Sequence, residues 1–356
     1  MDRRAFLTAV GGGLGTLAAA GSAFAAPHTY PAADWARGDP PPADRVAALQ
    51  ALLAGGDSTG VLVIRRGQVL FEYGDVRATS YLASARKSLV SMLYGRYVAD
   101  GTVRLDASLR ELRFDDIGGL LPTELEATVG DLLAARSGVY HRAANLGDAS
   151  DRAPARGSVR HGRYFLYNNW DFNALGAILE RVTGRGLYDI FTTDIATPIG
   201  LQDWNPASGA YRDAIRNDTG LSQHPAHHFV LSTRDMARVG YVMLRHGRWG
   251  DRQVLPAAWV RRISRTVTPA AEVARTSPFI DGLGYGLLWW TFDGPAFRRT
   301  PLHDAYTASG AFGQFITVIP RLDLVVAHKT AVPPARNVTA EAYVGRVLPA
   351  ILALVR

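Results

Sequence analysis

The distribution of strand-like and helix-like periods along this 356-residue chain limits the folds it can adopt. Short β-rich runs lie near both ends, and longer amphipathic patterns fill the middle. The N-terminal run spans 60–70 and continues to 73 around an Arg66-Gly67 turn; the C-terminal runs span 285–292, 306–309, 312–319 and 322–329. Strands this far apart share a sheet only if the chain ends meet. The pattern predicts an α+β fold: an antiparallel sheet built from both chain ends and flanked by helices, with a mostly helical inserted region.

Helical periodicity marks eight segments between and around these strands. They span 43–53, 84–99, 129–135, 171–182, 187–195, 233–245, 256–265 and 340–355. We therefore expect a sheet domain from 43–105 plus 283–356 and a mostly helical domain from 106–282. Residues 27–42 are rich in proline and alanine and predict a leader along the surface. The polar stretch 142–163 predicts a long loop, and long loops often border functional sites.

The first 26 residues have the composition of an export signal. Arg3-Arg4 precedes a glycine-rich apolar run, and Ala23-Phe24-Ala25 offers a small-x-small cleavage site. The order Asp-Arg-Arg-Ala-Phe-Leu resembles a twin-arginine signal, which exports folded proteins. The apolar run is short and glycine-rich for a membrane span. We therefore expect a periplasmic or secreted protein without an integral span after cleavage; a non-cleaved anchor is the alternative.

Composition excludes several functional classes. The chain has no cysteine, which rules out disulfides, a cysteine nucleophile and cysteine-ligated zinc. Its net charge of +7 is spread among interspersed acids, a pattern typical of solvated surface and not of a nucleic-acid interface. We expect a small molecule or short peptide as the partner. The clustered histidines His224, His227 and His228 are interpreted as surface or core residues, so neither a metal nor a cofactor is predicted.

Ser84-Ala85-Arg86-Lys87 combines a nucleophile with a base. In a helix, residues three apart lie on one face about one turn from each other. A serine hydroxyl needs a nearby base, and lysine can act as that base once burial or a neighbouring cation lowers its pKa. Of the 39 lysine and arginine residues only Lys87 and Lys329 are lysine, and arginine cannot serve as a base. Lys87 is therefore chemically distinctive.

Two further stretches supply candidate partners. Tyr167 precedes a predicted helix and could relay protons beside Ser84 and Lys87, where an ammonium would favour phenolate. Asn169 could hold a substrate carbonyl or orient Lys87. The third stretch, Ser309-Gly310-Ala311, lies at the start of a predicted strand. Its small side chains let a ligand approach the backbone, whose N–H groups could stabilise an oxyanion. A half-buried structural tyrosine and a glycine-rich strand kink are the respective alternatives.

Three stretches resemble, in their order along the chain, the motifs of the serine β-lactamase and penicillin-binding-protein superfamily. They are Ser84-x-x-Lys87, Tyr167-x-Asn169 and Ala308-Ser309-Gly310. They are most similar to its class C-related branch of D-aminopeptidases, family VIII esterases and nylon-oligomer hydrolases. The resemblance covers roughly residue 43 to the C-terminus and implies a β-lactamase/transpeptidase-like fold. It also implies an oxyanion hole made by the backbone N–H groups of Ser84 and Ala311.

The third motif departs from the family pattern, because Ala308 occupies the position of a lysine that helps bind substrate carboxylates. The resemblance therefore implies a serine hydrolase that forms an acyl-enzyme from an ester or amide, with weak binding of a β-lactam carboxylate unless an arginine from elsewhere compensates. Three alternatives stay open: an acyl-binding or sensor module without turnover, a true β-lactamase or D,D-peptidase, and an unrelated binding protein whose motifs are coincidental. Distant positions of Ser84 and Tyr167 would favour the last.

Overall fold

The computed structural model describes residues 29–276, 282–331 and 336–355, so the predicted export signal lies outside the described residues. The helices are α1 (Ala43–Ala54), α2 (Arg86–Ala99), α3 (Val129–Leu133), α4 (Asn169–Thr183), α5 (Leu187–Phe191), α6 (Pro206–Arg216), α7 (Thr233–Leu244), α8 (Ala257–Ile263), α9 (Ala270–Thr276), α10 (Ala340–Ala342) and α11 (Leu348–Ala353). The strands are β1 (Gly60–Arg65), β2 (Gln68–Gly74), β3 (Thr79–Tyr81), β4 (Val230–Ser232), β5 (Arg248–Trp249), β6 (Arg252–Gln253), β7 (Gly284–Tyr285), β8 (Trp290–Thr291), β9 (Tyr306–Gly310), β10 (Gln314–Ile319) and β11 (Leu324–Lys329).

Seven strands form one sheet in the order β2-β1-β11-β10-β9-β8-β7. Strand β1 pairs antiparallel with β11, and Val63 lies opposite Val326 at its centre. The first and last thirds of the chain therefore meet in mid-sheet, which confirms the predicted α+β architecture. The β1–β2 turn is also as predicted, since Arg66 and Gly67 both have positive φ (53° and 79°), the geometry that closes a two-residue hairpin.

The run 285–292 differs from its prediction as a single strand. It forms two two-residue strands, β7 and β8, which pair antiparallel with Tyr285 opposite Trp290. Leu288 adopts a positive φ of 65° between them, so the chain turns back where apolar residues alone predict continuous extension. This hairpin forms the edge of the sheet and places Trp290 beside β9.

Helix α2 lies at the centre of the molecule and is buried on nearly all sides. Its hydroxyl groups connect it to both neighbouring layers. Ser88 Oγ donates to the Leu288 carbonyl (2.6 Å), and Tyr94 Oη donates to the Leu175 carbonyl of α4 (2.7 Å). Because a buried helix with satisfied polar groups has little freedom to shift, the residues at its N-terminal end are held rigidly.

Helix α7 covers the sheet, although it lies within the region predicted as the helical domain. A Cβ at Gly240 would lie 2.5 Å from Val325 Cγ1, so the glycine permits close contact between helix and strand. The predicted leader is anchored beside this helix: Trp35 packs edge-on against Tyr241, and Arg238 donates to the Ala33 carbonyl. Within the described residues, no helix is both long and apolar enough to cross a membrane.

Candidate active site

Ser84 lies in a short 3₁₀ turn, Ala83–Ala85, immediately before α2. The α-helix itself begins at Arg86 and not at Ser84 as predicted. The reason is local: Ala83 has a φ of 47°, a left-handed conformation that interrupts a continuous helix. Strained backbone of this kind persists when surrounding contacts enforce it, and it is common next to reacting groups.

The serine, lysine and tyrosine predicted to act together do meet. Lys87 Nζ lies 2.9 Å from Ser84 Oγ and 2.8 Å from Tyr167 Oη. Lys87 is 2% exposed, and its amine also lies 4.2 Å from the centre of the Tyr167 ring and 4.8 Å from that of Phe172. This proximity removes the basis for regarding the first two motifs as coincidental.

Burial controls the proton affinities of this group. It lowers the pKa of Lys87 well below its ordinary 10.5, and the positive charge of Arg86 lowers it further, whereas Asp148 opposes the change. Burial also raises the pKa of Tyr167 above 10, despite a hydrogen bond with Ser84 that favours the phenolate. Both shifts favour the neutral forms of the pair, an amine on Lys87 and a phenol on Tyr167. An uncharged Lys87 is the form that the base role expected from the sequence requires, and a phenolate on Tyr167, expected only beside an ammonium, is not favoured.

The third motif borders the same serine. Ser309 and Gly310 are the last two residues of β9 and Ala311 follows them; all three line a cavity of about 400 Å³ whose wall also includes Ser84. A Cβ at Gly310 would lie 2.2 Å from the Leu82 carbonyl oxygen and 2.9 Å from the Ala85 nitrogen. Glycine is therefore required for the strand end to lie against the turn that carries Ser84.

Ala308 lies one residue before this edge and is fully buried, opposite Ile316 in the sheet. It contributes neither charge nor a side-chain donor to the cavity. The rest of the wall is largely apolar or aromatic, with Trp290 from β8 and Phe312 from the β9–β10 turn. The other lining residues are Gly147, Asp148, Tyr167, Asn337, Val338, Thr339 and Ala340.

Asn169 has a different role from the one predicted. Its Nδ2 donates to the carbonyls of Asn145 (3.3 Å) and Leu146 (3.1 Å), and its backbone N–H donates to Asp148 Oδ2 (2.7 Å). It is 1% exposed and is not part of the cavity wall. No hydrogen bond to Lys87 is present among the described residues. Asn169, the first residue of α4, therefore holds the loop that carries Asp148 in place through these hydrogen bonds.

The loop predicted over 142–163 is irregular except for one 3₁₀ turn, and its residues Gly147 and Asp148 form part of the cavity wall. Sequence reasoning missed both residues, and it missed Asn173, whose Nδ2 donates to Asn145 Oδ1 (2.9 Å). The sequence does indicate Asn173, because it lies four residues after Asn169 and therefore on the same face of α4.

A second compartment of about 350 Å³ opens from the other side of Ser84. It shares Gly147, Ala311 and Phe312 with the first, but arginines line it in place of the apolar wall. Helix α6, which supplies Arg212 and Arg216, was not predicted. Asn205 caps its first turn and proline occupies its first position, which is the signal that was overlooked.

The clustered histidines contact separate parts of the helical region. His224 stacks on Phe114 with ring centres 4.3 Å apart, His227 lies 3.3 Å from Glu180, and His228 lies 2.8 Å from Asp213. Within the described residues, no group of three histidine, cysteine or acidic side chains could hold a metal ion.

The β-lactamase family model matches residues 46–345 of this chain. No curated protein matches the chain by sequence. Among solved structures, it is similar to EstCE1, a hydrolase with promiscuous acyltransferase activity (18% identity, TM-score 0.64, 88% of this chain and 98% of that one).

It is also similar to a family VIII carboxylesterase, with 16% identity and a TM-score of 0.64 over 87% of this chain and 97% of that one. A β-lactamase from Mycobacterium bovis shares 19% identity and gives a TM-score of 0.62, over 86% of this chain and all of that one. At these identities the structural similarities establish the fold.

Proposed function

The chain belongs to the β-lactamase family, and from that premise we propose that it is a serine hydrolase that cleaves ester or amide bonds through an acyl-enzyme. The observation that carries this proposal is the buried amine of Lys87, which lies within hydrogen-bonding distance of both Ser84 Oγ and Tyr167 Oη. A neutral amine in that position can accept the serine proton as the hydroxyl attacks a carbonyl.

Each proton has a defined route in this mechanism. Ser84 Oγ bonds to the carbonyl carbon while its proton passes to Lys87 Nζ, and the backbone N–H groups of Ser84 and Ala311 stabilise the oxyanion. Each such donor typically supplies about 3–4 kcal/mol. Tyr167 then donates its phenolic proton to the leaving group and takes up the proton held by Lys87, so that it ends the step as a neutral phenol. Water then attacks the acyl-enzyme by the reverse route and releases the acid.

Ser309 and Gly310 act through the shape of the site. Gly310 lets the end of β9 lie against the turn before α2, and in the proposed mechanism this close approach is what allows the Ala311 N–H to serve as an oxyanion donor. Ser309 adds a hydroxyl at the rim of the cavity. The carboxylesterase and β-lactamase among the similar structures act on carbonyl compounds by name, in keeping with ester or amide substrates here.

The mechanism is tested by a pair of substitutions assayed on 4-nitrophenyl esters. Ser84→Ala should abolish turnover and labelling by a fluorophosphonate. Lys87→Arg should fall to a similar level, because a guanidinium keeps the charge but cannot accept a proton. Robust turnover by Lys87→Arg would exclude lysine as the base.

Intact mass measured after a pulse of ester separates the enzyme from the alternatives. An adduct on Ser84 that disappears within the assay indicates a hydrolase, whereas a permanent adduct indicates a sensor. The same measurement with a penicillin tests β-lactam turnover, which should be poor because Ala308 offers no cation to the β-lactam carboxylate.

The proposal extends to location: residues 1–26 act as a twin-arginine export signal, cleaved after Ala25, and the protein works outside the cytoplasm. Expression of the full chain in a bacterium with twin-arginine transport should yield a periplasmic product beginning at Ala26. Changing both Arg3 and Arg4 to lysine should retain the unprocessed chain in the cytoplasm. Unchanged processing in that variant would contradict the twin-arginine route.

A further inference from the structure

The second compartment beside Ser84 is chemically unlike the first. Three guanidinium groups line it: Arg86 at the start of α2, and Arg212 and Arg216 one helical turn apart on α6. The wall includes no aspartate or glutamate among the described residues. Ser84 itself lines both compartments. A group bound in the second compartment therefore lies close to the carbonyl that Ser84 attacks.

Arg86 is the most informative of the three because it is buried. It is 2% exposed, and its Nη2 donates to a neutral acceptor, Asn173 Oδ1, at 2.8 Å. Arg212 lies over the ring of Tyr81, 4.4 Å from its centre. In the described part of the chain, none of the three arginines forms an ion pair with a carboxylate. A buried cation without an anion is costly, so this arrangement favours a ligand that brings the negative charge.

The carboxylate whose charge acts on Arg86 is already hydrogen-bonded elsewhere. Asp213, adjacent to Arg212, accepts hydrogen bonds from Tyr188 Oη (2.7 Å) and from both the backbone N–H and Nδ1 of His228 (2.7 and 2.8 Å). Its carboxylate stabilises the junction between α6 and the chain before β4. It attenuates the positive potential of the compartment without occupying it.

We propose that this compartment binds a carboxylate of the substrate, so that the preferred ester or amide is anionic. The inference rests on the proposed hydrolase function and adds the substrate class. Arginine binds carboxylates through paired N–H donors, and it is available here although Ala308 provides no cation on the other side of Ser84. The carboxylate belongs either to the acyl group or to the leaving group, and the two cases are separable.

Two pairs of esters test the proposal, each pair matched except for the charge. Mono-4-nitrophenyl adipate and 4-nitrophenyl hexanoate place or omit a carboxylate at the end of the acyl chain. 4-Hexanoyloxybenzoate and 4-hexanoyloxybenzamide do the same on the leaving group. In the wild type, kcat/KM should be at least about tenfold higher for the anionic member of one pair, the size of one charge-assisted hydrogen bond.

The arginines are then tested through the ratio of kcat/KM for the anionic ester to that for its neutral partner. The double change Arg212→Gln and Arg216→Gln should lower this ratio about tenfold, mainly through KM. Arg212 is partly buried and Arg216 is exposed, which makes both safer to replace than the buried Arg86. The control is Arg262→Gln, an exposed helical arginine on α8, which should leave the ratio unchanged.

The outcomes separate the two proposals. If the neutral esters are hydrolysed but neither anionic ester is preferred, or the ratio is the same in the double variant, the carboxylate site is overturned and the hydrolase stands. If no ester is turned over and Ser84 acquires no acyl mass, the proposed function itself fails. A preference confined to one pair identifies the compartment with the acyl group or with the leaving group.

Discussion

At the scale of single residues, the proton affinity of Lys87 decides whether Ser84 can react. The amine is held by two hydroxyl groups and two aromatic faces, with no carboxylate bonded to it in the described residues. Burial therefore favours the neutral amine, and the adjacent Arg86 acts in the same direction. Lysine at this position gives the site a base that none of the chain's arginines could provide.

The pH dependence of catalysis follows from these shifts. Lys87 accepts a proton only when neutral, so kcat/KM on 4-nitrophenyl hexanoate should fall as pH drops through its lowered pKa. Because the pKa of Tyr167 is raised, the phenol stays protonated and activity should remain level up to about pH 9. A profile measured from pH 5 to 10 checks both limbs. Activity that keeps rising towards 10.5 would indicate an ordinary, exposed lysine.

At the scale of elements, the site depends on a contact between a strand end and a helical turn. Gly310 lies against the backbone on both sides of Ser84, at Leu82 and Ala85. Neither neighbour is a flexible side chain, so any larger residue must push the strand away from the nucleophile.

Gly310→Ala tests this contact. The added methyl group should move the Ala311 N–H away from the oxyanion and lower kcat/KM by about a hundredfold, the typical cost of a 1 Å misplacement. It should also reduce the free energy of unfolding by about 1–3 kcal/mol. The matched control is Gly345→Ala, where a Cβ meets nothing within 4 Å. Equal kinetics in both variants would show that the close approach is not required.

The elements that sequence predicts well are those with strong local signals. The Arg66-Gly67 turn, the Ser232 cap of α7 and the β-branched run of β11 each determine their own geometry. The start of α2 was misplaced because the backbone of Ala83 is fixed by tertiary contacts. The hairpin at Leu288 was missed for a similar reason, since an apolar run does not reveal a left-handed residue inside it.

The candidate site divides in the same way. The first two motifs predict Ser84, Lys87 and Tyr167, because their chemistry is carried by residue type and spacing. The arginine compartment was not predicted, since Arg86 and Arg212 are brought together by the packing of α6. The motif predicts that Asn169 holds a substrate carbonyl or orients Lys87, but the direction of its amide depends on the loop to which it donates hydrogen bonds.

At the scale of the whole molecule, the long-range field acts on any charged substrate. The chain carries a net charge of +7, and the compartment beside Ser84 concentrates part of it where a ligand would bind. An anion is attracted during its approach and again in the site, whereas a neutral ester experiences neither effect. Salt screens charges in water over about 10 Å at 0.1 M, so it should weaken the approach more than the buried contact.

Raising NaCl from 50 to 500 mM should therefore lower kcat/KM several-fold for the anionic ester that the enzyme prefers, and barely alter it for the neutral partner. The double change of Arg212 and Arg216 to glutamine should leave a shallower salt dependence, because the remaining positive charge is dispersed over the surface. Initial rates at low substrate concentration measure both slopes. Parallel slopes for the two esters would mean that salt acts on the enzyme itself, and the electrostatic account of substrate selection would fail.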